Sequence, residues 1–295
     1  MWFFWAISNA LAESLKDVFG KIGAEQLDEY AVAFAQRFFA LPLLVLLAFM
    51  LGNPAPDAKF WQATLGSVAI NVVASILYFR ALKGAPLSLA LPIVTLSPVF
   101  LLATSPFING ETPSMLGLAG VAISVCGTYL MSVSKRSEGL FAPLAAIWTQ
   151  QSTRTMLIVA LLWSFSAPLD KIAIHHANPA LPGGDPYFYT MVTHVLLSLA
   201  LAPLAFRKTP ASVFFGRRNA RALVPIGAVS GLAITFQMIA FSLTLVPYAI
   251  SVKRASALFG ILWGKLFFGE TNLRERVAGA LVILAGAVTI LLATL

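Results

Sequence analysis

Charged side chains inside long apolar stretches are the residues of this sequence that could do chemistry. The clearest case is the stretch from Pro247 to Glu270, which is mostly apolar but carries Lys253, Arg254 and Lys265. At about 1.5 Å of rise per residue, a helix of this length crosses a hydrocarbon core of about 30 Å. A cation at the centre of a bilayer costs between about 2.5 and more than about 10 kcal/mol, so it normally faces a water-filled cavity, a partner or a ligand. The stretch therefore predicts a functional site.

Lys253 and Arg254 are the first candidates for binding a solute. Arginine presents a planar fork of donors that suits two oxyanion contacts, and lysine adds a point charge, so the pair fits a phosphate or a carboxylate. Successive residues of a helix point about 100° apart, which would let the two side chains flank the mouth of a cavity. The pair lies off the midplane of its predicted helix, however, and long basic side chains can instead extend to the lipid headgroups. Both interpretations stay open from the sequence.

A second polar set lies in the first apolar segment. Its members recur at spacings of three and four residues, which places them on one helical face. They are Asn9, Glu13, Lys16, Asp17 and Gly20. Glu13 and Lys16 are one turn apart, and a mutually neutralised pair costs much less in lipid than two lone charges. The corresponding segment of the second half carries Ser164, Pro168, Asp170 and Lys171. These polar stripes either line a cavity or pair with each other between packed helices.

Further polar side chains in apolar segments complete the candidate site. When the two halves are aligned, Arg37 matches His194. A histidine in a membrane helix is usually a hydrogen-bonded packing residue, although His194 could also relay protons. Uncharged polar residues usually join helices, and they bind a solute only where a cavity reaches them. The predicted substrate-binding residues are Lys253, Arg254, Lys16, Glu13, Arg37, Asn71, Tyr78, Gln237 and His194.

The elements that position these residues are predicted to be membrane-spanning helices. Hydrophobic residues make up 59% of the 295 positions and charged residues only 11%, which excludes an ordinary water-soluble domain. The first segment is predicted to be a retained helix and not a signal peptide. Hydropathy predicts an all-α integral membrane protein with ten transmembrane helices. Their approximate ranges are 2–22, 29–51, 60–82, 87–108, 114–133, 155–177, 187–206, 222–244, 248–268 and 273–294.

The ten spans are predicted to form two repeats of five. The pair Gly110 and Glu111 recurs at Gly269 and Glu270. After both pairs the halves match at one constant offset: Thr112 with Thr271, Gly120 with Gly279, and Gly127 with Gly286. An odd number of crossings inverts the second copy, so residues 1–134 and 154–295 are predicted to be inverted-topology five-helix repeats, joined by a connector at 135–153. Spans 5 and 10 are rich in glycine and alanine, which predicts packing helices clear of any solute path, or a homodimer formed through them.

Basic residues in the loops predict an orientation. Most of them follow spans 3, 5, 7 and 9, as at Arg80, Lys135, Arg217 and Arg274, whereas the opposite loops offer little beyond Lys59. By the positive-inside rule the first group faces the cytoplasm and both termini lie outside. The net charge of +8 is assigned to these loops against anionic lipid, and not to nucleic acid. The predicted location is the plasma membrane, which in a bacterium is the inner membrane.

A Phe- and Leu-rich run that ends in Gly-Glu before a glycine-studded helix occurs at Phe107 to Gly127 and again at Leu258 to Gly286. Together with the ten spans, it resembles the drug/metabolite transporter superfamily in its EamA-type branch, over essentially the whole chain. The resemblance implies a secondary transporter of small metabolites and a structural role for Glu111 and Glu270. It also implies a central cavity formed by the first, third and fourth helices of each half, with the fifth helices set apart. Members commonly place both termini in the cytoplasm, opposite to the orientation that the loop charges predict.

Lys253-Arg254 is similar to a Lys-Arg pair in the ninth helix of the sugar-phosphate/phosphate translocators, which implies a grip on an anionic phosphate. The first hypothesis is therefore an alternating-access transporter of a small anionic or zwitterionic metabolite, driven by exchange or by an ion gradient, since no nucleotide-binding motif is present. The alternative is a proton-coupled exporter of amino acids or cationic drugs that uses Glu13 or Asp17. No catalytic or metal-ligand spacing occurs, so neither an enzyme nor a cofactor is predicted. The expected partners are a small-molecule solute and the lipid bilayer.

Overall fold

The chain folds into helices joined by short loops. The computed structural model describes residues 1–23, 29–84, 93, 95–132, 142–268 and 274–295, and every regular element within them is a helix. The helices of the first half are α1 (Trp2–Gly23), α2 (Glu29–Phe38), α3 (Leu41–Leu51), α4 (Ala58–Gly84), α5 (Ser97–Ile108) and α6 (Met115–Ser132). Those of the second half are α7 (Ala142–Thr149), α8 (Gln151–Ala177), α9 (Pro186–Lys208), α10 (Ala211–Phe215), α11 (Arg217–Leu243), α12 (Val246–Lys253), α13 (Ser256–Phe268) and α14 (Arg274–Leu292).

Five stretches of the described chain are long and apolar enough to cross a membrane. They are Tyr30–Leu51, Ala58–Tyr78, Gln151–Ala177, Pro186–Lys208 and Leu223–Leu243. Shorter apolar helices cover Ser97–Ile108, Met115–Met131 and Val277–Leu292. Helix α1 is of comparable length, with 22 residues, but carries the charged stripe. Helices satisfy their own backbone hydrogen bonds, which is what lipid requires, so the chain has the make-up of an all-helical multi-pass membrane protein.

Two of the predicted spans are interrupted. The second breaks at Phe39 and Ala40, where Pro42 opens α3, and the ninth breaks after Lys253. Across the break after Lys253, the backbone keeps its hydrogen bonds because they tighten to i→i−3 partners, as from Ala255 N to Val252 O at 2.9 Å. The prediction of a continuous ninth helix was therefore wrong, and the two candidate cations sit at a junction between helices.

The predicted fourth span is only partly described. Within the described residues a turn at Thr95 and Leu96 interrupts it, and helix α5 begins at Ser97, with Pro98 in its first turn. Proline fits the first turn of a helix because that turn leaves its N–H groups unpaired. Residues 85–92 and 94 lie outside the described part of the chain.

The helices pack in pairs that join the two halves. The main pairs are α6 with α14, α4 with α8, α1 with α11, and α2 with α9; α5 packs on α8, and α12 and α13 pack on α1. Glycine makes the first pair close, since a Cβ on Gly286 would lie 2.5 Å from the backbone nitrogen of Ser124, and one on Gly120 would lie 2.9 Å from that of Ile290. The predicted packing role of spans 5 and 10 is thus met within the chain. A homodimer through them stays a prediction.

At one end of the bundle the loops are joined by hydrogen bonds. The loops are residues 52–57, 109–114, 178–185 and 244–245, and we call this the closed end. Asp185 accepts from the backbone nitrogen of Asn53 at 2.7 Å and from that of Phe188 at 2.9 Å, which caps α9. His176 Nδ1 lies 2.6 Å from Asp57 Oδ2. That hydrogen bond, with a second from the Phe60 backbone, holds the pKa of Asp57 below its usual value.

Candidate functional site

A cavity of about 660 Å³ lies inside the bundle, and all nine predicted substrate-binding residues are on its wall. On α8 the lining extends from Trp163 to Asp170, and on α6 it includes Thr128 and Met131 in the last two turns. Because α6 runs away from the closed end, the cavity reaches from the middle of the bundle toward the opposite end. Span 5 was expected to stay clear of the solute path, but α6 packs against α12 and contributes these two residues.

The carboxylate of Glu13 is shared between two lysines. Its Oε1 lies 2.6 Å from Lys16 Nζ and 3.3 Å from Lys253 Nζ. Lys253 also donates to Gln237 Oε1 at 2.8 Å, and Asn9 Nδ2 approaches the same oxygen at 3.5 Å. The predicted Glu13–Lys16 pair is therefore confirmed, and Lys253 of the second half joins it.

Arg254 points to a different wall from Lys253. Its Nη2 donates to Ser97 Oγ of α5 at 2.7 Å. The two cations thus flank the cavity as the sequence predicted, one toward α1 and α11 and the other toward α5. Because both make contacts inside the bundle, the alternative in which they extend to the lipid headgroups does not describe this structure.

Arg37 and His194 face the cavity from the packed helices α2 and α9. Within the described part of the chain, the Arg37 guanidinium has no hydrogen bond and no ion pair, although it lies within electrostatic range of Glu13 and Asp170. His194 is 2% exposed, and its Nδ1 lies 2.9 Å from Thr190 O. A carbonyl only accepts, so Nδ1 carries the hydrogen. The buried Nε2 is left without a partner among the described residues. One ring nitrogen is therefore held by the helix's own backbone, and the other is buried without a described partner.

Asp170 is the site residue that the prediction omitted. Its Oδ1 accepts hydrogen bonds from Ser67 Oγ of α4 and from the Tyr189 hydroxyl of α9, the latter at 2.6 Å. The sequence signal was present, since Asp170 interrupts the apolar run of its segment, but the pattern could not show that it faces the cavity. Ser67 gave no such signal.

Asn71 and Tyr78 mainly support other lining residues. Asn71 Nδ2 donates to Ser67 O at 3.0 Å and to Ser67 Oγ at 3.1 Å, so it helps to fix the hydroxyl that contacts Asp170. The Tyr78 ring packs on Trp163 with centroids 5.3 Å apart. The side chains of Asp17 and Lys265 lie outside the described residues.

The charges on the cavity wall do not balance. Among the described residues, the charged side chains that line it are Lys16, Arg37, Lys253 and Arg254 against Glu13 and Asp170. With all six ionised and His194 neutral, the described part of the wall carries an excess of two positive charges. An arrangement of this kind attracts anionic groups.

Glu111 of the Gly-Glu motif lies at the closed end and not in the cavity. Its Oε1 is 2.5 Å from Lys171 Nζ, and its Oε2 accepts from the backbone nitrogen of Val246 at 2.9 Å. Lys171 also donates to Thr244 O at 2.7 Å. The motif thus ties α8 to the start of α12, as the structural role implied by the resemblance requires. Glu270 lies outside the described residues.

A multi-pass helical bundle with a charged cavity inside it and one hydrogen-bonded end fits a membrane transporter. A model of the EamA-like transporter family matches the chain at residues 1–133 and again at 154–292. The chain therefore belongs to the EamA-like transporter family, and it is a membrane transporter of small solutes.

The chain is similar to a protein in sequence and to a solved structure in fold. A protein from a Sinorhizobium species, named an uncharacterized transporter in the cobO 3' region, is 25% identical over 136 residues, which cover 45% of this chain and 96% of that protein. A solved structure titled only as the crystal structure of a protein matches with a TM-score of 0.76 at 16% identity, over 99% of this chain and 97% of that one. At this identity the structural match shows the fold alone.

Proposed function

We propose that this protein is an alternating-access secondary transporter that moves a small anionic or zwitterionic metabolite by exchange or by coupling to an ion gradient. The observation that carries the proposal is the excess of two positive charges among the described residues of the cavity wall, with Lys253 and Arg254 at a helix junction. A net positive charge in a membrane interior is costly unless a ligand or water compensates it. An anionic group between the two walls would supply that compensation.

For the architecture, we propose ten spans in two inverted repeats, residues 1–134 and 154–295. If each helix is replaced by its counterpart in the other half, the α1–α11 pair becomes the α8–α4 pair, and the α6–α14 pair stays the same. These pairs are the main contacts of the fold. The two separate family matches support the same division. Repeats of this kind allow a central site to face the two sides of a membrane alternately.

For the orientation, we propose that the loops rich in lysine and arginine, which follow predicted spans 3, 5, 7 and 9, face the cytoplasm at a bacterial inner membrane. Both termini then face outside. The test uses Cys126→Ala as the background, because Cys126 is the one cysteine of the chain and is exposed. In intact cells, Leu295→Cys should react with a membrane-impermeant thiol reagent and Ser212→Cys should not. The reverse labelling pattern would overturn the orientation and favour cytoplasmic termini.

The test of solute binding is a thermal-shift screen of the purified protein against phosphorylated and carboxylated metabolites, because a solute that binds only the folded state raises its stability. For an anion found in this way, Arg254→Lys should weaken binding about tenfold or more, since the fork that makes two oxyanion contacts is lost while the charge remains. Lys253→Gln should also weaken it. Lys59→Gln, at an exposed lysine away from the cavity, is the matched control. Full binding by both cavity variants would rule out the anion site.

The alternative, a proton-coupled exporter of cationic solutes, would use Glu13 or Asp17. Glu13 already contacts two ammonium groups, which makes its carboxylate less available to a cation. If amino acids or cationic drugs stabilise the protein in the same thermal-shift assay, and the phosphorylated and carboxylated metabolites do not, this alternative replaces the first proposal.

A further inference from the structure

Asp170 is a buried carboxyl group in the cavity that contacts no cation of the described residues. Only 7% of the residue is exposed, and both of its hydrogen bonds, from Ser67 and Tyr189, end on the same oxygen, Oδ1. Within the described chain, no basic side chain comes within ion-pair distance of it, and Oδ2 accepts no hydrogen bond. One oxygen is therefore fixed by the protein, and the other is left for something that the cavity supplies.

The groups that face Asp170 are few. Of the helices packed on α8, α9 contributes Tyr189 and His194, α4 contributes Tyr78, and α12 contributes Lys253. Helices α5 and α7 contain no ionisable residue, and α11 contains none beyond its first turns. The neighbouring Lys171 points to Glu111 at the closed end. Across the cavity, Arg37 is the cation whose charge acts on Asp170.

Such a carboxyl group is balanced between two states. An ionised carboxylate that is shielded from water and lacks a contacting cation is costly, and two neutral hydroxyl donors offset only part of that cost. The positive charge of Arg37 favours the ionised form through space. Protonation at Oδ2 removes the charge and leaves both hydrogen bonds to Oδ1 in place. The equilibrium between the ionised and the protonated form of Asp170 therefore depends on whether another charge neutralises Arg37.

We infer that Asp170 is a proton-binding site, and that Arg37 couples its proton to an anion in the cavity. An anion bound at the free guanidinium cancels the positive charge that favours the carboxylate, so the anion promotes proton uptake at Oδ2. By reciprocity the proton promotes anion binding. The two are then carried together, which makes the ion gradient of the proposed transporter a proton gradient. The coupling rests on the proposed anionic solute, whereas the proton site does not.

The proton site is tested without any solute by infrared difference spectroscopy of the purified protein in lipid nanodiscs. Lowering the pH should produce the carbonyl band of a protonated carboxyl group, which Asp170→Asn abolishes and Glu13→Gln keeps. Arg37→Gln should move the appearance of the band to higher pH, and so should Tyr189→Phe, because each removes a group that favours the carboxylate. These two shifts identify the band even if Asp170→Asn does not fold. A band that none of the Arg37, Tyr189 or Asp170 variants changes would overturn the proton site.

The coupling is tested with sulfate as the probe anion. At constant pH, sulfate should increase the Asp170 band in the wild-type protein and leave it unchanged in Arg37→Gln. If sulfate leaves the wild-type band unchanged as well, the coupling through Arg37 is wrong, although the proton site stands. The anion-site proposal has a separate test in the variants at Lys253 and Arg254, so the two can fail independently.

Discussion

Asp170 and Lys171 are neighbours in α8, yet they face two regions that treat charge differently. Lys171 points to the closed end, where its ammonium group contacts Glu111 and the Thr244 carbonyl, while the second oxygen of Glu111 takes a backbone N–H. Asp170 points into the cavity, where the described residues bind it through hydroxyl groups alone. The charge of Lys171 is therefore matched by an opposite one, whereas that of Asp170 has no opposite charge in contact among the described residues.

The difference indicates what each region is for. A buried ion pair whose remaining donors and acceptors are also satisfied holds helices in one arrangement, and breaking it is costly. Charges in excess, by contrast, are tolerated in a membrane protein where an occupant compensates them for part of the time. We therefore expect the closed end to control stability, and the cavity to control binding.

The largest loss of stability is expected from Lys171→Met, which tests whether the closed end controls stability. The substitution keeps an unbranched side chain but leaves Glu111 with no ammonium group and Thr244 O with one donor fewer. Removing one partner of a buried pair costs about 3–5 kcal/mol. The side chains of Lys171 and Glu111 are 15% and 7% exposed, so we expect the low end of that range. A thermal-unfolding midpoint measured in detergent should fall accordingly.

The double variant Lys171→Met with Glu111→Gln is the control for this effect. Glutamine removes the uncompensated charge and keeps an acceptor for the Val246 backbone nitrogen, so part of the stability should return. If the two single losses simply add in the double variant, the pair does not interact and the proposed role of the closed end is wrong.

Much of the fold could be predicted because it depends on local patterns. Apolar length predicts the membrane helices, and small residues predict the close contact of α6 with α14. The break after Lys253 was not predictable, because no proline or glycine marks it. The tightened turn there is compatible with many sequences, and only the packing of α12 and α13 around the cavity selects it.

The sequence could predict which residues line the candidate site, but not which of them contact each other. A polar residue in an apolar helix stands out in any sequence, which is why all nine predicted residues lie on one cavity wall. Partners are decided by tertiary structure. Nothing in the sequence connects Glu13 with Lys253, or Lys171 with Glu111, since these contacts join different halves. For the same reason, Asp170 looked like an interruption of a helix and not like a site.

A smaller effect is expected inside the cavity, where Glu13 is shared by Lys16 and Lys253. Glu13→Gln removes the carboxylate that contacts both ammonium groups, whereas Lys16→Met leaves Glu13 paired with Lys253 at 3.3 Å. Glu13→Gln should therefore destabilise the protein more, by about 1–3 kcal/mol, which is the cost of leaving buried polar groups unsatisfied. All three side chains are 20–21% exposed to the cavity, which keeps the loss below that of Lys171→Met.

The double variant Glu13→Gln with Lys16→Met tests whether Glu13 is shared by Lys16 and Lys253 or paired with Lys16 alone. It removes one charge of each sign and leaves Lys253 with Gln237 as its remaining contact. We therefore expect its unfolding midpoint to lie above that of Glu13→Gln alone, because one of the two opposed ammonium groups is gone. Equal losses from Glu13→Gln and Lys16→Met would show that Lys253 takes no part. The carboxylate of Glu13 would then be matched one to one, like Glu111, and the contrast between the two regions would rest on Asp170 and Arg37.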